Sequence, residues 1–435
     1  MMGHLNSFNY VDSYVIKKAA EQYGTPLYLY DERTIADRCG ALRSAPNAYG
    51  LTVRFAMKAN STRALLKTIY GEGISMDASS MNEVRRARAA GINYGDIILT
   101  TQEAPLDDEM RALEDMISQG LKYNVCSLHQ LYNIGDFAAE NKVSLAMRVH
   151  PGVGSGASAA RNTGDKYSCF GVHLTDLEQA LGYADGKGII FDHVHVHIGS
   201  GADPDVWQSN IDLELGVVEK YFPHARTVNF GGGLREARMP EEEPADIQKL
   251  CGYAQEKIER FYLRTNRKLT MEIEPGNFLM ANAGFIITKV VDKKKTGGEG
   301  LNFLVLDGGM DLNARPIFYA AEHPFYVVSG DGRLLSSEFG QKGDGDFQAV
   351  LVGVCCESGD SQCLNEGRVN TPRCIGAPGI GDYVAIGGAG AYCATMSPLN
   401  YNSHLQAAEV LYTRDGELKK IRSRQSLEQL MANEI

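Results

Sequence analysis

Short apolar strands alternate with amphipathic helices eight times between residues 51 and 274, and few architectures accept that rhythm. The strands read LTVRFAMK (51–58), GISMDA (73–78), DIILT (96–100), LKYNV (121–125), LAMRV (145–149), FDHVHVHI (191–198), RTVNF (226–230) and LTMEIE (269–274). Between them lie helical patterns such as STRALLKTIYGEG and DDEMRALEDMISQG, several closing on a glycine that suits a helix C-terminus. Eight β–α units over about 230 residues match a (β/α)8 TIM barrel in count and size. Counting strands leaves one alternative standing, an open doubly wound sheet.

After Gly284 the texture changes. GFIITKVVDKK, NFLVLD, PFYVVS, DFQAVLVGVCC and GDYVAIGG are strands between Gly, Asp and Ser turns, with almost no helical spacing. This predicts an all-β region from about 284 to 420, with GGEGLN and GQKGDGD as hairpin loops. The early TPLYLYD adds a strand to it. The expected class is therefore α/β plus all-β, in two domains. Residues 31–284 form the barrel, and residues 1–30 plus 285–435 form a β-sandwich or β-barrel-like domain.

A chain of 435 residues has room for both cores. Its formal charge of −11 disfavours the phosphate backbone of a nucleic acid. No apolar run reaches the length of a membrane span, and MMGHLNSFNY lacks a basic segment followed by an apolar one, so a cytoplasmic protein is expected. Nine cysteines contain no CxxC pair, which argues for reduced thiols and against a zinc or thioredoxin-type site; no metal is expected.

Barrels carry their reactive groups at the C-terminal strand ends. Those ends here hold Lys58, Asp77, Asn124, Arg148, His197, Gly231-Gly232-Gly233 and Glu274. Each has an ordinary reading. Lys58 could snorkel to the rim, the glycines could be a loose turn, and Glu274 in EIEPG could be a rim carboxylate. Histidines 193, 195 and 197 alternate along one strand and raise the question of a metal, but no neighbouring carboxylate or cysteine in the sequence completes a ligand set. Together the ends describe the attachments of an aldehyde cofactor. They offer an amine for the aldehyde, glycine amides for a phosphate after strand seven, an aromatic ring to stack and a carboxylate for a ring nitrogen.

Seven ordered motifs sharpen this: FAMKAN, HIGSG (197–201), NFGGGL (229–234), EPG (274–276), RPIFY (315–319), CESGD (356–360) and GAY (390–392), with YNS (401–403) beyond them. The sequence resembles the fold-type III pyridoxal-phosphate decarboxylases, in their diaminopimelate decarboxylase branch. The resemblance implies pyridoxal 5'-phosphate as cofactor and an amino acid as substrate. It places Lys58 on the cofactor aldehyde, His197 against the ring and Glu274 on the ring nitrogen. Ser200, Gly232, Gly233, Gly276 and Tyr392 would hold the phosphate, and Asp77 joins the cofactor set. Arg315, Tyr319 and the residue at Asn277 would contact the substrate's distal end. Cys356 and Glu357 would come from the other subunit of a homodimer with shared sites. Cys356 is the candidate acid that returns a proton after CO2 leaves. A carboxylate on the ring nitrogen favours a decarboxylase over the racemases of this fold type, which place an arginine there.

Three departures bear on the substrate. Asn277 stands where the branch has an arginine after EPG, His404 stands where one follows YNS, and Cys169 replaces a lysine before Phe-Gly. Losing one charge-assisted contact to a carboxylate costs about 1.5–3 kcal/mol, roughly ten- to hundredfold in affinity. Arg161 is a candidate for the compensating charge. The expected reaction is meso-diaminopimelate to L-lysine. The alternatives are lysine or ornithine in either configuration, an amino-acyl group on a carrier protein, or a catalytically silent cofactor-binding relative.

Overall fold

The computed structural model describes residues 10–154, 163–199, 204–339 and 347–435. Its contacts divide the chain into two compact units. One comprises Arg38–Arg235 and Glu243–Phe278; the other comprises Met1–Asp37, Glu236–Glu242 and Leu279–Ile435. Segment 236–242, left inside the barrel by the sequence pattern, is held in the second unit by its backbone and by Arg238. The Arg238 Nε donates to the Gly388 carbonyl (2.9 Å) and Asn282 Nδ2 donates to the Ala237 carbonyl (2.7 Å).

The chain's first strand, β1 (Leu27–Asp31), lies in the second unit. The other unit is built on β2 (Leu51–Ala56), β3 (Ser75–Ala78), β4 (Ile97–Leu99), β5 (Lys122–Val125), β6 (Leu145–His150), the two-residue β7 (Val172–His173), β8 (Phe191–His195), β9 (Thr227–Asn229) and β10 (Thr270–Ile273). All are parallel, in the order β5-β4-β3-β2-β10-β9-β8-β6, with β7 appended to β6. A further pairing of β5 with β6, Asn124 opposite Ala146 and Val125 opposite Met147, joins the two ends. The sheet is therefore a closed eight-stranded barrel, and the open doubly wound alternative is excluded.

These strands are covered on both faces, which is why they read as nearly unbroken apolar runs; Ile97, Ile98 and Leu99 are all fully buried. Helices return the chain by presenting one apolar stripe. Met81–Ala89 buries Met81, Val84 and Ala87, and Ser80 caps it by accepting from the Glu83 N–H (3.1 Å). Ser127 and Asp246 cap Leu128–Asn141 and Ile247–Thr265 in the same way.

The second unit is a mixed sheet of ten strands. Beside β1 it contains β11 (Gly284–Lys295), β12 (Asn302–Leu306), β13 (Phe325–Val328), β14 (Leu334–Ser337), β15 (Phe347–Val352), β16 (Arg373–Ile375), β17 (Tyr383–Ile386), β18 (Ala408–Tyr412) and β19 (Leu418–Arg422). β1 sits between β11 (antiparallel) and β18 (parallel), so the chain's first strand is central to a sheet otherwise made from its last third. Leu27, Leu29, Phe285, Ile287, Tyr326 and Val410 form the heart of its core. GGEGLN does connect the antiparallel pair β11 and β12, whereas GQKGDGD lies outside the described residues. Exceptions to the all-β expectation include the helix Ser13–Tyr23, whose Val15, Ile16, Ala19 and Ala20 join this core, and the five-residue helix Arg315–Tyr319, with Pro316 in its first turn.

Candidate active site

Polar side chains fill the barrel interior in two layers. In the layer toward the strand starts, Arg54 of β2 grips Glu272 of β10 with both ends of its fork, Nε to Oε2 at 2.7 Å and Nη2 to Oε1 at 2.9 Å. His193 Nε2 is 3.5 Å and Lys122 Nζ 3.7 Å from the same carboxylate. Burial alone would raise Glu272, but His193, Arg54 and Lys122 outweigh it and bring the group down to about 2. Burial lowers His193 to about 4, so it is uncharged at neutral pH and the attraction that counts there is that of Arg54.

The next layer, toward the C-terminal ends, is where the candidate residues gather. Glu274 follows β10; its Oε1 accepts from Asn229 Nδ2 (2.7 Å) and its Oε2 lies 3.5 Å from His195 Nε2. Burial raises Glu274, opposed by Lys58, the Asn229 amide and Arg148. Asp77 at the end of β3 is buried, and its Oδ1 has no hydrogen-bond partner. Desolvation pushes it well above the usual carboxylate range and Glu274 adds to that, while Lys58 opposes it. Lys58 stands on a tight helical turn, Met57–Ala59, directly after β2, its exposed side chain flanked by buried Met57 and Ala59. Arg148, near the end of β6, lies over the Phe170 ring (5.1 Å) with its Nε unpartnered. Two carboxylates and two cations thus share the mouth of one barrel.

The glycine triplet forms a cradle beside them. Gly231 (φ +69°) and Gly233 (φ +87°) hold left-handed backbone that disfavours other residues. A Cβ on Gly231 would stand 2.7–2.9 Å from the His197 ring, one on Gly232 2.7 Å from the Glu274 carbonyl oxygen, and one on Gly233 2.9 Å from that of Gly199. Only hydrogen fits at all three. Trp207 Nε1 donates to the Gly232 carbonyl (3.2 Å), holding that oxygen toward the indole. A cleft of about 150 Å³ opens here, lined by His197, Gly199, Trp207, Gly232, Gly233 and Arg235 among others. His197 is half-buried at its edge, and burial with Arg148 and Lys58 nearby keeps its ring neutral. Gly276 and Asn277 open the short helix Asn277–Met280 after β10. Pro275 accepts from the Ala56 N–H (3.3 Å), tying that turn to the end of β2.

The remaining candidates lie in the β unit. Arg315 is buried; its Nε donates to His323 Nε2 (3.3 Å) and its guanidinium lies 5.8 Å from the Tyr319 ring. Tyr319 also points its hydroxyl at Met396 Sδ (3.7 Å). Cys356 is exposed, its N–H donating to Asn402 Oδ1 (2.7 Å). Glu357 accepts from Ser358 (3.2 Å) and Tyr401 (3.3 Å), and these bonds with the Gly359 amide lower it. Tyr392 adopts φ +59° in the turn after β17. Ser200 and Arg161 lie outside the described residues.

One sequence expectation needs correcting. Carboxylates do flank the alternating histidines, Glu272 at His193 and Glu274 at His195, because β8 and β10 both pair with β9. The two carboxylates are already bonded to Arg54 and Asn229, and the described residues contain no group of three or more His, Cys, Asp or Glu side chains arranged to hold a metal. Several residues went unassigned in the sequence. Asn229 is the clearest: its N–H donates to Glu214 Oε1 (3.0 Å), its Oδ1 accepts from the Gly231 N–H (2.9 Å), and its Nδ2 holds Glu274. It stands in NFGGGL, two residues before the triplet, where a strand-end amide was the available signal.

Residues 33–281 match the family described as pyridoxal-dependent decarboxylase, pyridoxal binding domain. The chain is 31% identical over 417 residues to the diaminopimelate decarboxylase of Escherichia coli K12, covering 95% of this chain and 94% of that one. It is 32% identical over 421 residues to the diaminopimelate decarboxylase of Streptomyces coelicolor, covering 96% and 91%. A crystal structure of diaminopimelate decarboxylase superposes with a TM-score of 0.87 at 29% identity, over 98% of each chain.

Proposed function

The chain belongs to the pyridoxal-dependent decarboxylases, and from that premise we propose that it converts meso-diaminopimelate to L-lysine with pyridoxal 5'-phosphate, a step of lysine biosynthesis. The observation that carries this reading is the barrel mouth. An amine, two buried carboxylates and a side-chain-free cradle meet there, in a chain matched end to end by diaminopimelate decarboxylases. The residues fit the cofactor's three handles. The cradle leaves space that any Cβ would fill, Asp77 keeps a buried oxygen without a partner, and Glu274 offers a carboxylate within reach of the Lys58 charge.

When bound, pyridoxal phosphate supplies an electron sink for the pair left on the α-carbon as CO2 departs. Lys58 supplies the amine that holds the cofactor's aldehyde carbon. Glu274, held by Asn229, keeps a proton at the ring nitrogen, where positive charge strengthens the sink. His197 would face the ring, and the amides of Gly232 and Gly233, with Ser200, Gly276 and Tyr392, would take the phosphate. Asp77, close enough to Lys58 to feel its charge, orients that amine.

The protein acts as a cytoplasmic homodimer in this reading. Cys356 of the partner subunit protonates the α-carbon, and the partner's Glu357 binds the substrate's amino end. Both residues are exposed on the β unit, as a shared site requires. Among the described residues no helix is long and apolar enough to cross a membrane. Arg315, Tyr319 and Asn277 meet the distal end of the substrate.

Asn277 favours a second reading. It puts a neutral amide at the first position of the helix after EPG, which suits a substrate without the distal carboxylate, such as lysine or ornithine. The deciding assay is CO2 release by cofactor-loaded protein from meso-diaminopimelate and from both enantiomers of lysine, ornithine and arginine. Turnover of meso-diaminopimelate above all others upholds the first reading. Preference for lysine or ornithine replaces the substrate and keeps the chemistry.

A further inference from the structure

Of the three alternating histidines, His193 joins the Arg54–Glu272 layer and His197 edges the glycine cradle, leaving His195 without a task. Its ring is almost wholly buried, 1% exposed, beside the Glu274 carboxylate. Hydrogen bonds reach it on one side and the Glu274 carboxylate faces it on the other. Asn124 Nδ2 donates to the Thr100 hydroxyl oxygen (3.1 Å). The same amide nitrogen donates to His195 Nδ1 (2.9 Å). An Nδ1 that accepts leaves the ring proton on Nε2, and Nε2, which makes no hydrogen bond of its own, lies 3.5 Å from Glu274 Oε2. The order is therefore Thr100, Asn124, His195, Glu274, taken from the residue after β4, β5, β8 and the residue after β10.

We propose that His195 is a positioning residue for Glu274, its neutral imidazole fixed in the Nε2–H form by this chain so that the N–H faces the carboxylate and holds it ionised and aimed. The proposal rests on the reading of Glu274 as the partner of the cofactor's ring nitrogen. The groups facing His195 are Arg148, opposite it on β6, Lys58, His193 and His197 along its own strand, and Glu274. Burial and the two cations keep the imidazole uncharged, so it serves Glu274 as a dipole and adds no charge that would compete with a protonated ring. Asn229 takes the other oxygen, so the carboxylate is addressed on both sides by neutral donors.

A double-mutant cycle on the full-length protein tests this, with His195→Phe, Glu274→Gln and their combination. Two quantities are read: kcat, and the dissociation constant of pyridoxal phosphate from quenching of Trp207, the chain's only tryptophan. His195→Phe should lower kcat about tenfold with KM nearly unchanged and weaken cofactor binding severalfold, and His195→Gln, which can accept and donate at once, should restore most of both. The decisive result is the combination, which should be no worse than Glu274→Gln alone. If Phe is not accommodated, Thr100→Val breaks the same chain by removing one hydroxyl, and its smaller loss should also vanish in the Glu274→Gln background. Losses that multiply overturn the proposal while leaving Glu274 in place. A Glu274→Gln variant with wild-type kcat and cofactor affinity overturns the reading of Glu274 itself, and His195 with it.

Discussion

Replacing Arg54 by methionine should show how much stability one interior ion pair carries. The guanidinium and the Glu272 carboxylate are each 2% exposed, and they meet through two short bonds across the β2–β10 pairing. Methionine keeps most of the buried stem and removes the charge, leaving Glu272 with a neutral histidine and a lysine at 3.7 Å. Breaking a buried pair from one side costs about 3–5 kcal/mol, because the surviving charge has lost water and partner together. For a domain of this size that is a fall in melting temperature of roughly 6–20 °C. Deleting both charges, as Arg54→Met with Glu272→Met, should cost far less, since no charge is stranded.

The pH dependence gives the sharper signature. In the native protein Glu272 is depressed to about 2, so its stabilising contribution is complete above the unfolded value near 4.5 and is lost as pH falls from there toward 2. In Arg54→Met the stranded carboxylate is raised instead, and the folded state then takes up a proton that the unfolded state does not. That variant gains stability as pH falls through the raised value, so its deficit should be widest near pH 8 and narrow toward pH 5. His193, lowered to about 4 by burial, costs stability between pH 6.5 and 4. It does so in both proteins wherever it stays neutral, and any proton it gains beside the stranded carboxylate narrows the gap further. The assay is thermal unfolding of cofactor-free protein between pH 5 and 8, followed by Trp207 fluorescence, which reports on the barrel unit. A drop under 2 °C at pH 8, or equal drops in the single and double variants, would refute the argument.

Gly232→Ala should weaken pyridoxal phosphate binding about ten- to hundredfold by Trp207 quenching, because its Cβ meets the Glu274 carbonyl at 2.7 Å and overpacking of that kind costs about 1–3 kcal/mol. Gly252→Ala, with open space around its helical Cβ, is the control and should bind as the native protein does; equal affinity in the two variants removes the cradle from the phosphate site. Cys356→Ala should lower kcat by about a hundredfold or more, the scale of a lost general acid, with cofactor affinity unchanged. Wild-type turnover in that variant would take Cys356 out of the mechanism.

All eight barrel strands were legible because a strand covered on both faces writes itself as an unbroken apolar run, and the helices between them show one stripe each. The closure was not legible. It depends on Asn124 and Val125 finding Ala146 and Met147, a pairing that no periodicity encodes. Lys58, the glycine triplet and Glu274 stood out because barrel chemistry collects at strand ends and each is the wrong residue type for a bare rim. Segment 236–242 was misplaced because its allegiance comes from two long-range hydrogen bonds, Arg238 to the Gly388 carbonyl and the Asn282 amide to the Ala237 carbonyl, not from its composition.

The two interior layers explain why the histidines misled. Along β8 and β10 the sequence repeats one pattern, His-x-His and Glu-x-Glu, with nothing to separate the first member from the second. What separates them is Arg54, whose partner lies 218 residues away in the chain. Its fork saturates Glu272 and turns the lower layer into structure. One step along the same strands no fork arrives. Glu274 accepts from the neutral Asn229 amide and feels the charges of Lys58 and Arg148, and Asp77 retains an oxygen with no hydrogen-bond partner. The barrel thus places a two-bonded, buried ion pair in one layer and leaves an unpartnered carboxylate oxygen in the layer proposed to bind. Identical residue types acquire opposite roles through partners that only the closed fold brings together, so reading the site correctly required knowing where the charges are already answered.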